Sequence, residues 1–177
     1  MKESTEAATF RFDRAILEQL KLEARHKQIS LNTLLNQIVR AHLEWHSNAA
    51  RAGFVPVRKT VITKLFDSLT PEQIDVLARN GARGLADETL LIMSKKRSGA
   101  SILEVTERWI RVAGFSYHHE VGPDNNNNHM YVIQHNMGRN WSYYLARLFE
   151  EATSEFVAAR PDVEATENAL YITVAFK

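Results

Sequence analysis

Residues 7–12, Ala-Ala-Thr-Phe-Arg-Phe, alternate apolar and polar side chains and run directly into a helix start, while the next strand-like segment begins only at residue 115. This arrangement predicts one short β-strand with no neighbour in its own part of the chain. Asp13 stands where an N-cap belongs, with a carboxylate able to accept from free amides at the start of a helix over residues 14–26. Leu17, Leu20 and Ala24 recur at helical spacing in that segment. After a break at Lys27-Gln28-Ile29, Ser30 caps a second helix. There Leu31, Leu34, Leu35, Ile38, Val39, His42 and Leu43 keep one apolar face, the clearest periodicity in the chain.

A lone strand leaves an unpaired edge, and Phe10 and Phe12 have too little core of their own to enter. A second copy of the chain resolves both problems. Two strands pair antiparallel, four helices pack around the ribbon, and Phe10, Phe12, Leu34, Leu35 and Ile38 form a shared dimer core. Thr9 and Arg11 then point outward, and a two-stranded ribbon has the width to enter the DNA major groove. On these residues the segment 7–46 resembles the ribbon-helix-helix repressors of the Arc/MetJ type. The resemblance implies an obligate dimer that binds double-stranded DNA, with Thr9 and Arg11 at the bases. It also implies a phosphate anchor at the start of the second helix, which here is Ser30, Leu31, Asn32 and Thr33. Free amides and the positive end of a helix dipole favour an anion at such a position. Arg25 and Lys27 are the further cations expected nearest phosphate. Two departures stand out: the inter-helix turn lacks the Gly often found there, and Asp13 sits close to the expected DNA face. A plain helical hairpin with one apolar face is the competing reading.

Zero cysteine among 177 residues excludes a disulfide scaffold, a zinc ribbon and thiol catalysis. No apolar run approaches the ~18 residues that a membrane span requires, and the polar start Met1-Lys2-Glu3-Ser4 argues against a secretory leader, so a cytoplasmic protein without membrane association is expected. The formal net charge is +1. Residues 1–51 hold eight Lys and Arg against six acids, and the remainder is slightly acidic. Doubling the N-terminal segment in a dimer places its positive charge on one surface.

The small-residue stretch before Pro56 sets the expected boundary between a ribbon-helix-helix domain at 1–52 and an α+β domain at 53–177. In the second domain, helices are predicted over 59–69, from Thr70-Pro71-Glu72-Gln73 to Gly81, over 86–96, and from a Ser101 cap to Gly114. The period then changes to two. Residues 115–121 and 129–135 read as a hairpin around the turn-forming 122–128, followed by a helix over 141–159 and strands over 162–165 and 170–176. The fold class expected is α+β with an antiparallel sheet.

Four of the seven histidines lie between 118 and 135. Alternation puts His119, His129 and His135 on one face of the hairpin, where imidazoles can ligate a transition metal. The arrangement is reminiscent of nickel-responsive ribbon-helix-helix regulators, although those use a Cys ligand absent here. Half-buried structural histidines explain the same pattern. Trp109, Phe115, Tyr117, Tyr131, Trp141, Tyr143 and Tyr144 are candidates for the wall of a small-molecule pocket, or simply for core. No nucleophile elbow, phosphate loop or dinucleotide fingerprint occurs, so an enzyme is not expected. The expectation is a homodimeric transcriptional regulator, able to assemble further, with no resident cofactor unless a metal, and a C-terminal domain that answers a small-molecule or metal effector. A ribbon-helix-helix antitoxin with a toxin-binding C-terminal part is the alternative.

Overall fold

The computed structural model describes residues 6–122 and 128–177, with the backbone alone at Ala86 and Asp87. The protein is mixed helix and strand, of α+β class, and divides into two compact units, Met1–His42 and Leu43–Lys177.

The first unit contains α1, Arg14–His26, and α2, Leu31–Ala41. Both start as their sequence dictates: Asp13 Oδ1 accepts from the Ala15 amide at 2.8 Å, and Ser30 Oγ accepts from the Thr33 amide at 3.0 Å. Gln28 takes a left-handed conformation, φ 54°, in the turn between them. The position thus has the geometry glycine usually supplies, held here by a residue with a Cβ. The strand expected over 7–12 is not formed in the single chain, where these residues adopt no regular structure. A strand exists only through its ladder partner, and the isolated chain offers none. The expected core is correspondingly open: Phe10 is 72% exposed, Phe12 42% and Ile38 43%, Leu35 is half-buried, and Leu34 is 1% exposed.

A π-helical turn, His42–His46, starts at the last residue of the first unit, and in the second unit its Trp45 and Ala49 of the single turn α3, Ser47–Ala49, enter a core with Leu90, Met93, Ile102 and Val105. α4 spans Lys59–Asp67, and α5 spans Pro71–Gly84 behind a full capping box between Thr70 and Gln73. The expected end at Gly81 does not occur. α5 runs past it into a second π-helical turn, Leu85–Thr89, and α6, Leu90–Met93. Gly81 instead marks a close approach to α8, Arg139–Thr153: a Cβ there would sit 3.2 Å from both Leu148 Cδ1 and the Tyr144 hydroxyl. α7, Gly99–Val112, is capped by Ser98, whose Oγ accepts from the Ser101 amide at 3.2 Å. The cap expected at Ser101 lies three residues earlier because Ser98 keeps an extended backbone, while Ser101 is already helical and buried.

Four strands form one antiparallel sheet: β1 Ser116–Val121, β2 Asn128–Gln134, β3 Asp162–Ala165 and β4 Ala169–Ala175, in the order β1-β2-β4-β3. The hairpin register is the one alternation predicts, pairing Tyr117 with Ile133, His119 with Tyr131 and Val121 with His129. The centre of the turn, 123–127, lies outside the described residues. One sheet face is built into the core by Tyr131, Ile133, Leu170, Ile172 and Val174 with Ile110 of α7 and Leu145, Ala146 and Phe149 of α8. The other exposes His118, Glu120, Met130 and Tyr171, so the sheet has one dry and one wet face.

Gly99 supplies a direct test of this packing, because a Cβ there would lie 2.1 Å from Cδ1 of Phe176. Gly99→Ala is expected to lower stability by about 1–3 kcal/mol through displacement of that ring, as read from urea denaturation midpoints.

Candidate functional site

The residues expected at DNA all sit in the first unit. Thr9 and Arg11 are exposed and outside regular structure. Ser30 holds the α2 N-terminus, and its hydroxyl is also 2.8 Å from that of Thr33, leaving Leu31 and Asn32 in the first turn beside them. Arg25 is exposed in the last turn of α1. Lys27 is exposed too and pairs with Glu23 at 2.7 Å, so a phosphate would have to compete for its ammonium group. Asp13, the residue that threatened repulsion at a DNA face, is engaged in capping.

The three histidines proposed as a metal set do not converge. His119 and His129 do meet, with Nε2 of His119 and Nδ1 of His129 2.9 Å apart and their rings stacked. His135 is elsewhere, buried at 2% exposure. Its Nδ1 accepts from the Met137 amide at 3.1 Å, and its Nε2 lies 2.8 Å from the Ser142 hydroxyl. An Nδ1 that accepts an amide proton places the ring's own proton on Nε2, so both nitrogens are committed to the protein. Alternation put His135 on the correct face, but strand β2 ends at Gln134 and the chain turns into the core. Among the described residues no group of three His, Cys, Asp or Glu is placed to share a metal ion.

His119 meets Glu107 of α7 as well, which sequence reading missed because nothing in the chain links it to the hairpin before folding. Glu107 Oε1 lies 3.2 Å from Nδ1 of His119 and accepts from the Tyr131 hydroxyl at 3.0 Å. The Tyr131 ring is stacked on His119 with centroids 4.1 Å apart. The carboxylate favours a proton on His119 Nδ1, leaving Nε2 as the acceptor toward His129. Burial, and then the neighbouring charge of His119, lower the pKa of His129, whereas burial and Glu107 push the Tyr131 hydroxyl up and keep it protonated. A carboxylate–imidazole–imidazole chain can pass a proton, and the proton shared between the two facing nitrogens occupies the place a metal ion would need.

The aromatic candidates separate into distinct places. Phe115 and Tyr117 are core, Tyr131 belongs to the Glu107 cluster, and Tyr143 donates to Asp75 at 3.0 Å, next to the Arg147–Asp75 pair. Trp109, Trp141 and Tyr144 share the wall of one apolar cavity.

His135 makes the buried joint pH-dependent. Burial, and then the charge of Lys59, depress its pKa from 6.5 to about 4, so the folded chain holds a neutral ring where the unfolded chain takes up a proton. Stability from this group is therefore intact above pH 6.5 and falls as pH drops toward about 4. Unfolding free energies from urea titrations at pH 7 and pH 4.5 are expected to differ by about 2–3 kcal/mol on this account, and His135→Gln should remove most of that contribution. Compared with known proteins, the chain matches no family model, no curated protein and no solved structure.

Proposed function

We propose that this protein is a sequence-specific DNA-binding transcriptional regulator of the cytoplasm. Its N-terminal unit acts as a ribbon-helix-helix homodimer, and its C-terminal unit serves effector response or further assembly. One observation carries the reading: α1 and α2 bury only Ala24 and Leu34, while Phe10, Phe12, Ile16, Ile38 and Val39 stay in solvent. A two-helix unit with that much unburied apolar surface is half of a core, and a second copy supplies the other half. In that dimer residues 7–12 gain the ladder partner they lack, Phe10 and Phe12 turn inward, and Thr9 and Arg11 face the major groove. The free amides at the Ser30-capped end of α2 support the phosphate anchor. The C-terminal unit has its own sheet and core, which favours an effector or assembly domain over the toxin-wrapping tail of an antitoxin.

Selection of genomic fragments with the full chain is expected to enrich a discrete site, and Arg11→Ala should weaken binding to it by about 1–3 kcal/mol. Thr33→Ala should weaken binding to all sequences more evenly, because its role is at phosphate. No enrichment, or the same enrichment with Arg11→Ala, would sink the DNA-reading assignment. The solution mass of the full chain should be a multiple of two protomers, and Phe10→Asp should drive it toward the monomer.

A further inference from the structure

The cavity beside Trp109, Trp141 and Tyr144 is about 440 Å³, within the range of small-molecule sites and far beyond the voids of a close-packed interior. Its floor is the sheet, through Ile133 of β2 and Leu170 and Ile172 of β4. Its helical sides come from α5, α7 and α8; α5 lies close against α8 at Gly81, and the space along α5 is left by side chains that its glycines lack. α5 presents Gly81 and Gly84 to the cavity, and at Gly84 a Cβ would meet nothing within 4 Å. The π-helical turn Leu85–Thr89 then widens the helix where Leu85, Glu88 and Thr89 border the space.

The polar groups at this wall are few. Tyr144 and Thr106 bring hydroxyls for which no hydrogen bond to another described residue is formed. Trp141 lends the wall its ring alone, because its indole N–H is sealed from a water-sized probe. Among the described residues no Lys or Arg borders the cavity, and the one charged side chain there, Glu88, is exposed and repels anions.

We infer that this cavity binds a small, uncharged, aromatic-sized ligand that is mostly apolar and carries one polar oxygen, hydrogen-bonded by the Tyr144 hydroxyl. Its role as the effector site rests on the regulatory reading above. The binding itself is measured without DNA, so failure of either leaves the other standing.

The test uses the full chain with 2-naphthol and naphthalene as probes, followed by titration calorimetry and by displacement of N-phenyl-1-naphthylamine fluorescence. Saturable binding of one probe per chain is expected. Thr106→Phe, which fills the cavity from α7, should weaken both probes at least ~10-fold while circular dichroism stays native. Leu148→Trp fills it from α8 and replaces Thr106→Phe if that variant does not fold. Tyr144→Phe should weaken 2-naphthol by roughly 3–10-fold, the worth of one hydrogen bond, and leave naphthalene unchanged. Non-saturable binding, or affinities that a folded filling variant does not change, overturns the site. Equal weakening of both probes by Tyr144→Phe overturns the hydrogen-bond assignment.

Discussion

The C-terminal unit is organised around one buried polar contact, the pairing of His135 Nε2 with the Ser142 hydroxyl at 2.8 Å. Between β2 and α8 the chain reverses within a few residues, using positive φ at Asn136 and Gly138. A reversal this tight inside a core exposes backbone groups that must be satisfied on the spot. The imidazole takes the Met137 amide, and the Ser142 hydroxyl also reaches the Glu167 carbonyl at 3.3 Å, just ahead of β4. Two side chains thus tie the end of β2, the start of α8 and the approach to β4. Asn140 adds the other tether, donating to the Phe66 carbonyl at the end of α4 at 2.9 Å. With α8 held at both contacts, its outer side receives α5 at Gly81, and the spacing of α5 from the sheet defines the cavity.

Much of this fold is legible in the sequence, and the failures share a cause. Period-two segments gave all four strands of the sheet and the register of the hairpin, because one face of each strand is dry and the other wet. Asp13, Ser30 and Thr70 announced their helices, since caps are local chemistry. Gly81 misled as a helix stop because its reason for being glycine is steric, set by Leu148 and Tyr144 far along the chain. Ser98 and Ser101 are equivalent on paper, and only the backbone conformation distinguishes cap from first turn. The candidate sites divide in the same way. His119 and His129 were placed by alternation, whereas Glu107 reaches His119 and Tyr131 only once α7 packs on the sheet, and His135 was lost to the core by a turn that pattern cannot foresee.

The two units differ in how far they satisfy themselves. From Leu43 onward, apolar side chains close around two cores, Trp45 and Ala49 among them. Before it, the apolar row of α2 buries Leu34 and then leaves Ile38 and Val39 in water. A unit that buries so little cannot offset the chain entropy of ordering two helices by itself. On the regulatory reading, its folding and its dimerisation are then one event, and dilution acts on the DNA-binding surface while leaving the sheet and its cavity intact.

Charge sets the remaining limit. A whole-chain balance of +1 argues against a nucleic-acid binder, yet the sum mixes a slightly acidic C-terminal part with an N-terminal segment carrying eight cations against six acids. Several of those charges are already spoken for: Lys27 is paired with Glu23, and Lys21 with Glu18. Doubling the segment in a dimer concentrates what is left, without producing the dense basic surface that holds DNA through phosphates alone. Affinity on that reading has to come from base contacts at Thr9 and Arg11 and from several dimers sharing one site, since each dimer releases too few counterions to bind tightly by charge.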